Sequence, residues 1–168
     1  MKNIPLSRPL ALVLAPSAGL LAACGGGNDE TPTPTPISAS VGVTNATFLA
    51  FNGGYATSNI SLTGVERAET LSVGTVCAFR FSGVQQAGST RLMSGDVRYN
   101  TNSNQLRTTF ITIDGVEFVL NGTAGAVVNL AANRVEFTGA VFTGSGGSNG
   151  TITLTGPIPM RSPRPNDC

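Results

Sequence analysis

The sequence predicts an all-β protein: an antiparallel meander of about eight short strands with little or no helix, forming a small β-barrel or a β-sandwich. Three observations lead there. Phe, Val, Ile and Leu occur in short runs with period-two alternation, while Gly, Ser, Thr and Asn fill the intervals, with 21 glycines in 168 residues. An apolar residue, a small polar residue and Gly recur together, as at Leu62-Thr63-Gly64, Phe81-Ser82-Gly83 and Leu120-Asn121-Gly122. Their irregular spacing excludes a solenoid or propeller and fits strand-end punctuation.

In chain order, Val41 to Phe51 reads as a first strand, followed by the turn residues Asn52-Gly53-Gly54. Tyr55 to Thr63 is a second, closed by Gly64. Val65 to Leu71 is the one stretch with helical promise, at most two turns. Thr75 to Ser82 alternates, with Cys77, Phe79 and Phe81 on one face. Arg91 to Tyr99 and Gln105 to Ile113 flank the polar cluster Asn100 to Asn104.

Asp114-Gly115 between two strand-like runs signals a type I′ hairpin, because both central positions need positive φ. That register sets Ile111 opposite Phe118 and Thr109 opposite Leu120. Ile111, Ile113, Val116, Phe118 and Leu120 then share an apolar face, and Thr108, Phe110, Thr112, Glu117 and Val119 a mixed, half-wet one. Gly125 to Leu130 pairs with Arg134 to Phe142, Gly144 to Gly150 is a flexible loop, and Thr151 to Thr155 is a last strand stopped by Gly156-Pro157. Sequence does not separate barrel from sandwich.

The charge balance narrows the function classes. From Ile37 to Cys168 there are eight arginines, seven carboxylates, no lysine, no histidine and no tryptophan. The arginines are scattered, so the clustered positive charge that binds nucleic acid is missing.

The first 36 residues differ in kind. Lys2 and Arg8 precede an apolar run from Ala11 to Leu21, too short to span a bilayer, which ends at Leu21-Ala22-Ala23-Cys24. This resembles the lipobox of bacterial lipoprotein precursors. The resemblance implies that residues 1–23 are a removed signal peptide and that Cys24 is diacylated and becomes the mature N-terminus. By the same resemblance, Gly25 in place of Asp implies the outer membrane if the cell is Gram-negative. The alternative, a soluble export signal cleaved after Ala23, leaves Cys24 as an odd thiol in an oxidising compartment. Lipidation of Cys24 removes that anomaly and leaves Cys77 and Cys168 to form one disulfide. Residues 25–36, glycines followed by alternating Thr-Pro, form a tether able to reach roughly 30–40 Å. A single domain, 37–168, follows.

Candidate chemistry is sparse. Without histidine, Ser-His-Asp and Cys-His catalysis as usually built are excluded. Carboxylate pairs remain, Asp114 with Glu117 and Glu66 with Glu69, for a hydrolase of the two-carboxylate kind. In each case the plainer reading is turn chemistry or a solvated face. Gly144 to Gly150 lacks the Lys-Ser/Thr ending of a phosphate loop. The sequons at Asn45, Asn59, Asn121 and Asn149 are expected by chance in so Asn- and Thr-rich a chain. Tyr55 and Tyr99, beside turns, are candidate stacking platforms, with core packing favoured for both.

The expected function is a non-catalytic, lipid-anchored envelope module for binding or structure, without cofactor or metal, attached to the membrane through Cys24. A protein, a glycan or a small apolar molecule is left open as its partner. A lipocalin-like carrier of an apolar ligand is the alternative, and a carboxylate-dependent hydrolase comes third.

Overall fold

A computed structural model describes residues 35–70 and 74–168; Cys24, the signal segment and most of the tether lie outside the described residues. The chain is all-β. Its strands are β1 (Ala39–Thr44), β2 (Gly53–Thr57), β3 (Ser61–Leu62), β4 (Glu66–Thr70), β5 (Gly74–Gln86), β6 (Leu92–Asn100), β7 (Leu106–Ile113), β8 (Val116–Asn121), β9 (Ala126–Asn129), β10 (Arg134–Gly144) and β11 (Thr151–Pro159). Eight of them, β1-β2-β5-β6-β7-β8-β10-β11, close into an antiparallel barrel by the pairing of β11 with β1. β3 and β4 pair along β5, and β9 pairs along β10.

Alternation aims one face of each strand inward. Tyr55, Phe79, Met93, Tyr99, Phe118 and Phe142 are the largest of the inward side chains, all essentially inaccessible to solvent. They interlock with Ile111, Ile113, Ile152, Leu154 and Ile158 into one continuous core. Gly95 is the inward position of β6 opposite Phe81, and a Cβ there would lie 2.5 Å from the Phe81 ring. The ring of one strand fills the space left by the glycine of the next.

Both mouths are closed. At the end holding the β7–β8 hairpin, a 3-10 turn at Leu49–Phe51 folds Phe51 over the core, edge-on to Phe118 at 6.2 Å between centroids. The Tyr55 hydroxyl donates to the Phe51 carbonyl (3.0 Å), and Gln86 Nε2 donates to the carbonyls of Ala50 (3.0 Å) and Asn52 (2.9 Å). At the other end, where β1 begins, the tail from Met160 to Cys168 lies across the opening as a strap. Met160 N–H donates to the Asn133 carbonyl (2.7 Å), and the Tyr99 hydroxyl donates to the Cys168 carbonyl (2.8 Å).

The barrel is held together unevenly. β5–β8 form one ladder and β10-β11-β1-β2 another. Only two residue pairs join them on each side: Tyr55 and Ala56 with Gln86 and Gln85, and Thr143 and Gly144 with Val119 and Phe118. Both seams lie at the hairpin end. Toward the strap end the walls part, with β3 and β4 along one flank and β9 along the other. The described residues therefore form a closed eight-stranded barrel with three additional strands at its flanks.

Several local expectations are corrected. Where Val65 to Leu71 is expected to be helical, its described residues Glu66–Thr70 form β4 on the edge of β5, which a stretch too short to sustain a helix finds ready-made; Leu71 lies outside the described residues. The first strand ends at Thr44 because Asn45 turns to φ 50°, and Tyr55 to Thr63 divides into β2 and β3. β11 continues past Gly156 to Pro159. Its pairing with β1 stops at Thr155, so Pro157 occupies an edge position where no N–H is needed on that side.

Candidate functional site

Cys77 on β5 and Cys168 at the end of the strap form a disulfide with Cα atoms 5.6 Å apart. The bond joins the β5–β8 ladder to the tail of β11 at the end where the ladders do not meet. Arg67 reinforces it, 3.8 Å from the Asp167 carboxylate. Arg164 Nη1 donates to the Leu130 carbonyl (2.9 Å) and to Asn133 Oδ1 (2.7 Å) on the opposite flank.

Asp114 occupies the first position of the type I′ turn (φ 49°), Gly115 the second (φ 80°), and the Asp114 carboxylate lies 2.9 Å from Arg91 Nε. Glu117 belongs to the outer face of β8 and accepts from the Ser145 hydroxyl. Glu66 and Glu69, three apart on a strand, fall on opposite faces, and Glu69 accepts from the Thr75 hydroxyl.

The two tyrosines belong to the core. Tyr99 has no exposed surface; burial pushes its phenol up to about 12, with Arg164 pulling weakly the other way. Burial raises Tyr55 as well. The loop at 144–150 is knit by Gly144 N–H donating to the Gly150 carbonyl (2.7 Å) and Ser148 N–H donating to the Ser145 carbonyl (3.1 Å). Among the described residues no group of three or more His, Cys, Asp or Glu is placed to hold a metal ion.

One concavity of about 400 Å³ lies on the outer wall, where β3 stands beside β5, β6 and β7. Strand register builds it. Arg80, Asp96 and Phe110 are aligned across β5, β6 and β7, and Ser94, Thr112 and Glu117 are aligned across β6, β7 and β8. Asp96 is the fixed point. Arg80 Nε lies 3.3 Å from its Oδ2, Arg98 Nε donates to Oδ1 (3.0 Å), and Arg98 Nη2 donates to Oδ2 (3.1 Å). The hydrogen bond to Asp96 holds the Arg98 guanidinium more firmly charged than usual. The same guanidinium lies 5.2 Å from the Phe110 ring centroid, a cation–π contact on one side of the ring. Thr63 frames the edge, its hydroxyl accepting from Arg80 N–H (2.9 Å).

Sequence reading did not single out Arg80, Asp96 or Arg98. It did place Phe110, Thr112 and Glu117 together on the mixed face of the hairpin, and a large ring among hydroxyls was the available signal. Comparison of the chain with protein-family models, with curated proteins and with solved structures finds no match.

Proposed function

We propose that this protein is a bacterial lipoprotein: Cys24 carries the lipid, residues 25–36 are the tether, and the β-barrel is a non-catalytic binding or structural module held at the envelope, at the outer membrane by the Gly25 pattern. The observation that carries the reading is cysteine use. The barrel consumes Cys77 and Cys168 in one disulfide, leaving Cys24 of the Leu-Ala-Ala-Cys motif as the sole remaining cysteine of the chain. Two or three acyl chains there give near-permanent membrane attachment. The non-catalytic part rests on the lack of histidine and on the engagement of Asp114 by Arg91 and of Glu117 by the Ser145 hydroxyl.

Expression in a bacterial host fed an alkyne-bearing fatty acid tests the anchor. Wild-type protein should take up the label and sediment with membranes, and Cys24→Ser should lose both. Unlabelled wild-type protein in the soluble periplasmic fraction would sink the lipoprotein reading.

The carrier alternative has one observation in its favour, a closed eight-stranded barrel. Its interior holds the tyrosine, phenylalanine and methionine side chains already described, so a carried molecule would have to displace them. Native mass spectrometry of protein from its own membrane extract decides: a stoichiometric lipid beyond the covalent acyl chains supports carriage, and its absence removes it.

A further inference from the structure

We propose that the outer-wall groove centred on Asp96 and Phe110 binds an uncharged oligosaccharide. The inference rests on the binding-module part of the reading above and is independent of the anchor.

The first argument is what the groove cannot take. β6 is paired on both sides along its length, β7 is paired with β6 and β8, and β5 has β6 on one edge and β4, β3 and β2 in succession on the other. Of the strands lining the groove only β3, two residues long, is paired on a single edge, too short a backbone ladder for the strand addition that usually gives a peptide its affinity. An anion fares no better. Arg80, the one cation lining the groove, is already paired with Asp96, and Glu117 adds a second carboxylate, so the groove has no spare positive charge for an anion. An apolar ligand would bury those charges and the hydroxyls without replacing their water contacts.

The second argument is what the groove presents. Its lining includes the Phe110 ring, whose one side is backed by Arg98. It also presents the side-chain hydroxyls of Ser82, Ser94 and Thr112, which make no hydrogen bond among the described residues, beside the oriented carboxylate of Asp96. A pyranose has the complementary division, with C–H groups on its faces and hydroxyls around its edge. A ring face lies on the aromatic, and the edge hydroxyls donate to the carboxylate and exchange bonds with Ser and Thr.

Asp96 is also positioned in advance. Three guanidinium contacts fix its orientation, and Phe110 cannot swing toward Arg98, so little ordering accompanies binding. Rows set by strand register repeat in parallel along the wall, which suits a chain of sugar units better than a single one.

The test uses the full-length protein in detergent on an array of neutral and charged oligosaccharides, including chitotetraose, maltotetraose and cellotetraose, followed by titration calorimetry. At least one neutral oligosaccharide should be retained. Phe110→Ala should weaken it about tenfold or more, Thr112→Val severalfold, and Val141→Ala, on the exposed wall of β10, not at all. Thermal melts confirm that each variant is folded, and Thr112→Val keeps the test alive if Phe110→Ala is not. Retention of no neutral oligosaccharide at millimolar concentration, retention that follows charge alone, or equal affinity in Phe110→Ala and Thr112→Val overturns the assignment. Lost glycan binding with Cys24 still acylated removes the ligand and leaves the anchored module. Glycan binding with Cys24 unlabelled does the reverse.

Discussion

Thr109 is the polar side chain whose hydroxyl has gone into the lumen unpartnered. It lies in register between Val97 and Leu120 with no exposed surface, and its Oγ1 has no hydrogen-bond partner. An unsatisfied buried hydroxyl costs about 1–3 kcal/mol, and valine has nearly the same shape. Thr109→Val should therefore raise stability by about 1 kcal/mol, read as a higher urea midpoint at unchanged slope; a lower midpoint would show that the hydroxyl is satisfied. Tyr99 makes the opposite use of a hydroxyl, donating to Cys168 from a buried site that holds its phenol at about 12. In the unfolded chain the same group ionises near pH 10, so between pH 10 and about 12 the unfolded state has lost a proton that the folded state keeps. Stability from this group is complete below pH 10 and drains as pH rises through that window. Alkaline unfolding should show a falling slope there that Tyr99→Phe reduces, leaving the share of Tyr55. An unchanged slope would assign the loss elsewhere.

The β7–β8 hairpin shows how far one element can be read from its residues. Asp114-Gly115 set the turn, the turn set the register, and Ile111↔Phe118 and Thr109↔Leu120 pair as that register requires. Alternation and turn chemistry agree there, so nothing distant was needed. Asp114→Ala should cost about 1–2 kcal/mol, because alanine resists positive φ and the Arg91 contact is lost. Asp114→Asn should cost less, since asparagine tolerates the turn; equal losses in thermal melts would place the whole effect in the ion pair. Elsewhere the neighbours decide. β4 is a strand because the edge of β5 is free to receive it, and β11 runs through Pro157 because its hydrogen-bonded pairing with β1 stops at Thr155. Neither partner is visible from the local sequence. The outer-wall groove was half legible for the same reason: Phe110, Thr112 and Glu117 share a hairpin, whereas Arg80 and Asp96 join them only through the pairing of β5 with β6 and of β6 with β7.

At the scale of the molecule, the two ladders meet through two residue pairs on each side at the hairpin end, and the strap replaces such pairing at the other. The Cys77–Cys168 bond, with a sequence separation of 91, removes roughly 4–5 kcal/mol of loop entropy from the unfolded chain in the entropy model, less any strain it imposes. It also does something local. Tyr99, Arg67 and the backbone N–H of Asn102 all engage residues 167–168 of the strap, so freeing its last residue loosens contacts across the whole opening. Hydrogen exchange should register both effects separately. In Cys168→Ser, amides of β4, β9 and the strap should exchange markedly faster through local opening, while β7 and β8, fixed by an unbroken ladder and the hairpin turn, keep most of their protection. Equal acceleration in β7 and β4 would show that the bond acts on the unfolded state alone and that the strap does not hold the walls together.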